Sequence, residues 1–131
     1  MSPALTFLGA VGTVTGSKYL IDTGKGKFLM ECGLFQGLKP LRQRNWDKFP
    51  FSVSDLQSVV LSHAHLDHSG ALPLLAKQGF RGKIHCTSGT KDLLGVLLPD
   101  SARLQMEEAG YANRKGYSKH SAKSDRHIGI T

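Results

Sequence analysis

The sequence predicts an α/β fold with its strands leading, and three observations carry that prediction. Short apolar runs separated by glycine-rich turns occupy the first half of the chain. From Ala71 onward the apolar spacing changes to that of helices. A length of 131 residues with 40% hydrophobic and 21% charged side chains suits one globular domain with a single core.

The elements follow in order. Leu5–Leu8 reads as a strand that ends in the turn from Gly9 to Gly16. Lys18–Asp22 and Lys27–Cys32 read as two strands joined through Gly24-Lys25-Gly26, a hairpin loop. After the loop Gly33-Leu34-Phe35-Gln36-Gly37, the polar stretch Arg42–Lys48 suits a short helix, which Pro50 and Ser52–Ser54 end. Ser58–Leu61 is a strand of buried type. Ala71–Lys77 has helical spacing, with Pro73 tolerated in its first turn. Lys83–Cys86 is a short strand, and Thr87 or Ser88 caps a helix over Lys91–Leu97. Pro99 disfavours helical geometry at Leu98, so a break is expected there, with a second helix from Asp100 or Ser101 to about Ala112. From Arg114 on, loop or disorder is expected.

Composition narrows the function classes. No apolar stretch approaches the roughly 20 residues that span a bilayer, so a cytoplasmic location without membrane partners is expected. Two cysteines, Cys32 and Cys86, build no disulfide framework; Cys32 reads as a small buried residue. Seventeen basic residues against ten acidic give a net charge of +7. The surplus is densest after residue 110, where Arg114, Lys115, Lys119, Lys123 and Arg126 face one acid, Asp125. A polyanion such as nucleic acid fits that charge, with Arg114, Lys115 and Lys119 as candidate contacts.

The chemistry concentrates in His63-Ala64-His65-Leu66-Asp67-His68, where four of six residues are metal-ligand types between a strand and a helix. In extended chain, residues two apart share a side, so His63 and His65 can close on one ion. The turn into the helix then lets Asp67 and His68 face a second. Imidazole suits zinc, and a carboxylate suits zinc or the harder manganese. Two adjacent ions can share a hydroxide and clamp a displacement at phosphorus or carbonyl carbon. His85 reads as a packed or surface histidine, and neither His120 nor His127 has a frame to hold it.

The segment Leu61-Ser62-His63-Ala64-His65-Leu66-Asp67-His68-Ser69-Gly70 resembles the signature of metallo-β-lactamase fold hydrolases. Phe7–Ser17, Glu31–Gly37 and Tyr111–His120 narrow the resemblance to the β-CASP branch of RNA- and DNA-processing nucleases, over residues 3–120. The resemblance implies the N-terminal half of an αββα sandwich. It implies His63 and His65 on a first zinc, Asp67 and His68 on a second, and Asp67 orienting or deprotonating the attacking water. Metal-activated hydroxide would then cleave RNA, single-stranded RNA foremost and DNA as the alternative, as an endoribonuclease does.

Two departures qualify these expectations. The family has aspartate where this chain has Glu31, a carboxylate that supports the histidine loop from behind; the extra methylene should strain that contact and loosen the site. Family members also continue for several hundred residues and add further ligands. This chain reads as truncated, with residues 121–131 a divergent, disordered tail after an N-terminal part at 1–120. It would supply two ligands per ion and leave a sheet face and an edge strand uncovered. Other hydrolases of the wider superfamily, acting on thioesters or lactones, and a non-catalytic nucleic-acid-binding remnant are the competing readings.

Overall fold

The computed structural model describes residues 2–115. Five short strands form one mixed sheet in the order β1-β2-β3-β4-β5: β1 (Ala4–Phe7), β2 (Tyr19–Asp22), β3 (Lys27–Met30), β4 (Leu56–Val60) and β5 (Lys83–His85). The first three pair antiparallel, and β3–β4 and β4–β5 pair parallel. The β2–β3 turn is a hairpin in which the Asp22 carboxylate accepts from the Gly24 amide at 2.9 Å. Parallel neighbours need crossovers. Residues between β3 and β4 supply α1 (Lys39–Gln43) and two 3-10 turns, Arg44–Trp46 and Val53–Asp55. Those between β4 and β5 supply α2 (Leu66–Ser69) and α3 (Leu72–Lys77), and α4 (Ser88–Lys115) follows the last strand.

Alternation along the strands decides where the core lies. Leu29 and Val59 are register partners and wholly buried, in one cluster with Leu72 and Leu75 of α3 and Leu94 and Leu98 of α4. Their neighbours point the other way: Phe7, Tyr19, Met30 and Val60 align across four strands, and Phe7 is 60% exposed. One face of the sheet is therefore covered by helices and the other presents an apolar row. The edge strand β1 is exposed throughout, as the uncovered sheet predicts.

The structure corrects the expectations for the last third of the chain. α4 runs through Pro99 without the break expected at Leu98, as one helix of 28 residues that ends at Lys115, beyond the Arg114 boundary. Pro99 withdraws the hydrogen bond that the Gly95 carbonyl would receive, a local cost of about 3 kcal/mol. Leu94 and Leu98 lie in the core on one side of that point, and Ser101 and Ala109 are buried beyond it. Packing on both sides of the proline outweighs its local preference. The tail at 121–131, with Lys119, His120 and His127, lies outside the described residues.

Candidate metal centre

β4 delivers the chain to Leu61, whose amide donates to the His85 carbonyl at 2.9 Å, and the backbone then leaves the sheet through Ser62 to His65. His65 stands at the N-cap of α2 in extended geometry, so α2 begins directly behind the histidines. Buried Ser69 ties the turn to itself, its hydroxyl donating to the carbonyls of Ala64 at 2.9 Å and His65 at 3.0 Å. Main-chain bonds dock the loop on residues that precede it by thirty or more positions. The amide of Cys32 donates to the His68 carbonyl at 2.8 Å, that of Leu34 to Leu66 at 2.9 Å and that of Ser17 to Asp67 at 3.0 Å. Gly33 lies so close to Asp67 that a β-carbon would overlap the Asp67 carbonyl. The glycine-rich segments around Ser17 and Gly33 are thus the bed on which the histidine loop rests.

This bed brings His63, His65 and His68 together. The His63 ring centroid lies 4.7 Å from that of His65, edge to face, and 4.2 Å from that of His68. Asp67 Oδ2 lies 3.2 Å from His68 Nε2. His63 and His68 are half-buried and His65 is exposed, so the imidazoles stand at the surface of the described residues. Behind them lies Glu31, 4% exposed. Its Oε1 accepts from the Ser62 amide at 2.6 Å; its Oε2 accepts from the Ser62 hydroxyl at 2.9 Å and from His68 Nδ1. Donor atoms of Glu31, His63 and His68 fall within 4.8 Å of one another.

The proton inventory of this network makes both Nδ1 atoms donors. A carboxylate only accepts, so His68 Nδ1 carries the proton it gives to Glu31, while Nε2 faces a second carboxylate oxygen, Asp67 Oδ2, at 3.2 Å. The Ser62 hydroxyl gives its proton to Glu31 and accepts at 2.7 Å from His63 Nδ1. Imidazoles whose Nδ1–H is held by an oxygen have the arrangement of metal-binding histidines. Three donors meet the two Glu31 oxygens, so the carboxylate is engaged behind the imidazoles as well as belonging to the group that could hold an ion. The donor set of three histidines and Asp67 fits zinc or a similar divalent ion.

The backbone of Glu31 is itself unusual. Its φ of 64° is a left-handed conformation unusual for a residue with a β-carbon, and from it the carboxylate makes all three bonds. Ser62 has a role that the sequence reading passed over: it carries the influence of Glu31 to His63. Its position as the residue between a buried strand and the first histidine is the signal that could have found it. Cys32 is wholly buried, as expected, and its thiol is pushed up to about 12 by that burial, with the charge of Lys18 pulling the other way. His85 is exposed on β5, apart from the imidazole cluster. Arg114 and Lys115 form the last turn of α4.

A family model described as the metallo-beta-lactamase superfamily matches residues 11–118. Ribonuclease TTHA0252 of Thermus thermophilus is 39% identical over 99 residues, covering 76% of this chain and 22% of that protein. Transcription termination factor FttA of Cenarchaeum symbiosum is 38% identical over 103 residues, 77% of this chain and 16% of that one. Probable RNase MJ4 of Methanocaldococcus jannaschii is 35% identical over 120 residues, 91% and 26% respectively. The chain therefore spans about a quarter or less of the length of these relatives. Among solved structures, a mutant metallo-beta-lactamase of Cronobacter sakazakii matches with a TM-score of 0.51 and 24% identity, over 72% of this chain and 37% of that one, a likeness of fold. The five-stranded mixed sheet with its helices corresponds to the N-terminal part of that fold. The match over residues 11–118 includes the whole histidine loop and its glycine-rich bed, and the chain belongs to the metallo-beta-lactamase superfamily.

Proposed function

We propose that this chain is the N-terminal part, residues 1–120, of a β-CASP-type nuclease that hydrolyses phosphodiester bonds of single-stranded RNA internally, in the cytoplasm. The observation that carries the reading is the clustering of His63, His65 and His68, with Asp67 Oδ2 3.2 Å from His68 Nε2. The ribonuclease names of relatives up to 39% identical support RNA as the substrate. Among the described residues, no helix is long and apolar enough to cross a membrane.

In this reading His63 and His65 hold one ion and Asp67 and His68 a second, zinc at both and manganese as the alternative. The ions supply Lewis acidity toward the phosphoryl oxygens and lower the pKa of water. Glu31 holds the Nδ1–H of His68 directly and that of His63 through Ser62. Asp67 orients the attacking water and takes its proton as the water oxygen bonds to phosphorus; the bond from phosphorus to the leaving oxygen breaks on the opposite side. Arg114, Lys115 and Lys119 attract the RNA backbone electrostatically. Residues 121–131 lie outside this unit.

Incubating the completed protein, this chain joined to the missing part of the nuclease, with single-stranded RNA in the presence and absence of a chelator tests the reading. Cleavage that stops with chelator and with His65→Ala is expected. Cleavage that survives both would sink the metal mechanism, and turnover of a thioester without RNA binding would replace the substrate.

A further inference from the structure

A second site lies apart from the histidines. A cavity of about 190 Å³ opens between Lys18, which precedes β2, the 3-10 turn at Arg44–Trp46 and α3, with Phe35, Asp47 and Lys48 also on its wall. None of Glu31, His63, His65, Asp67 or His68 lines it.

Its walls concentrate positive charge on one aromatic ring. Lys18 Nζ sits 4.3 Å from the Phe35 ring centroid and Arg44 Cζ 4.1 Å from it. Gly16, at φ 76°, makes room for that ring, because a β-carbon there would overlap it. Asn45 holds the Phe35 backbone at both ends: Nδ2 donates to the Phe35 carbonyl at 2.8 Å, and Oδ1 accepts from its amide at 2.7 Å. The ring and its two cations are therefore set in place by the fold. Lys18 is only 7% exposed. Burial lowers its affinity for a proton, and the neighbouring Arg44 lowers it further. Among the described residues neither Lys18, Arg44 nor Lys48 forms an ion pair, and Asp47 is the one acid on the wall.

A buried ammonium beside a guanidinium is costly unless a counter-charge is near. The face of Phe35 supplies part of the compensation. The remainder calls for an anion, and the donors belong to three separate positions of the chain. A tetrahedral oxyanion presents oxygens in several directions, whereas a carboxylate presents two in one plane; a guanidinium and ammonium groups in one cavity match the former. We propose that the cavity bounded by Lys18, Arg44 and Lys48 over Phe35 is a phosphate-binding site. Arg44 and Lys48 lie exposed at its rim and admit the ligand.

Two sources carry the same phosphate chemistry, free phosphate and the backbone of a nucleic acid. Assignment to nucleic acid rests on the proposed function; phosphate binding itself does not. The purified chain is titrated with inorganic phosphate in the presence of chelator, against chloride at matched ionic strength. The thermal midpoint and the fluorescence of Trp46, the single tryptophan, beside the lining residues Asn45 and Asp47, are the readouts. A saturable response to phosphate alone is expected, weakened about tenfold by Arg44→Gln and by Lys48→Gln. Lys91→Gln on exposed α4 should leave it unchanged. Lys18→Met should abolish it; if that variant fails to fold, the two rim variants decide. Equal responses to phosphate and chloride, or equal weakening by Lys91→Gln, overturn the site. With phosphate bound, displacement by single-stranded RNA assigns the site to a backbone phosphate, and no displacement assigns it to free phosphate. Phosphate binding in chelator, alongside no RNA cleavage by the completed protein even when metal is supplied, would remove the proposed function and leave this site standing.

Discussion

Glu31 grips Ser62 with both carboxylate oxygens, Oε1 on the amide at 2.6 Å and Oε2 on the hydroxyl at 2.9 Å. The same Oε2 receives His68 Nδ1, so one buried side chain sets two imidazoles. Glu31→Gln replaces one accepting oxygen with an amide that can only donate, opposite groups that also donate. Zinc affinity should fall about 10- to 100-fold, as it does when the partner of a metal-binding histidine is lost. Stability should fall by about 1–3 kcal/mol. Zinc titration and urea unfolding of the same variant measure both. Ser62→Ala should weaken zinc binding less, because His68 keeps its carboxylate.

Asn45 supplies the next prediction. Its side-chain amide satisfies both main-chain polar groups of Phe35, a residue 5% exposed. Asn45→Ala leaves both without these partners and should cost about 2 kcal/mol in urea unfolding. Asn45→Asp keeps the acceptor but sets a carboxylate oxygen against the Phe35 carbonyl, and should cost at least as much.

Gly33→Ala should be among the most damaging single changes. Its β-carbon would meet backbone, the Asp67 carbonyl, which no rotamer change can relieve. A loss of about 3 kcal/mol or more is expected, with impaired zinc binding because the loop behind Asp67 and His68 must shift. Gly12→Ala is the control: nothing lies near its β-carbon, and only its φ of 68° is penalised, by about 1 kcal/mol. Circular dichroism melts of the two variants separate the effects.

Alkaline stability should report on Cys32. The thiol titrates at an ordinary 9.0 when unfolded and is pushed up to about 12 in the fold. Between those values the native state holds the proton that the unfolded chain has lost, so this contribution is complete below pH 9 and fades as pH rises toward 12. Lys18 acts in the opposite direction. Its lowered proton affinity is a penalty that lifts as pH rises toward 10.5. Comparing urea stability from pH 8 to pH 10 in the wild type and Cys32→Ala isolates the thiol. The variant should lose less stability per pH unit, even though its removed sulfur lowers stability at every pH. Identical slopes would show that the buried thiol contributes nothing.

The sequence by itself determined what short-range geometry governs. Short apolar runs such as Lys27–Cys32 and Ser58–Leu61 marked the strands, whereas which of Leu29 and Met30, or Val59 and Val60, faces the core was decided by the fold. The glycines of 24–26 marked the hairpin, and the histidine spacing marked a place where metal-binding side chains gather. Only the tertiary structure decided the rest. The parallel pairing of β3 with β4 sets Met30 beside Val60, which carries Glu31 to Ser62 across 31 positions of chain. α4 stays whole through Pro99 against the preference of its own residues, with Leu94 and Leu98 in the core before the proline and Ser101 and Ala109 buried after it. Lys18, Phe35, Arg44 and Asn45 meet around one cavity although nothing in their spacing announces it. Local backbone sterics are written residue by residue, whereas the partners of a buried charge are chosen by which strands pair, and that choice is made by burial summed over the whole core.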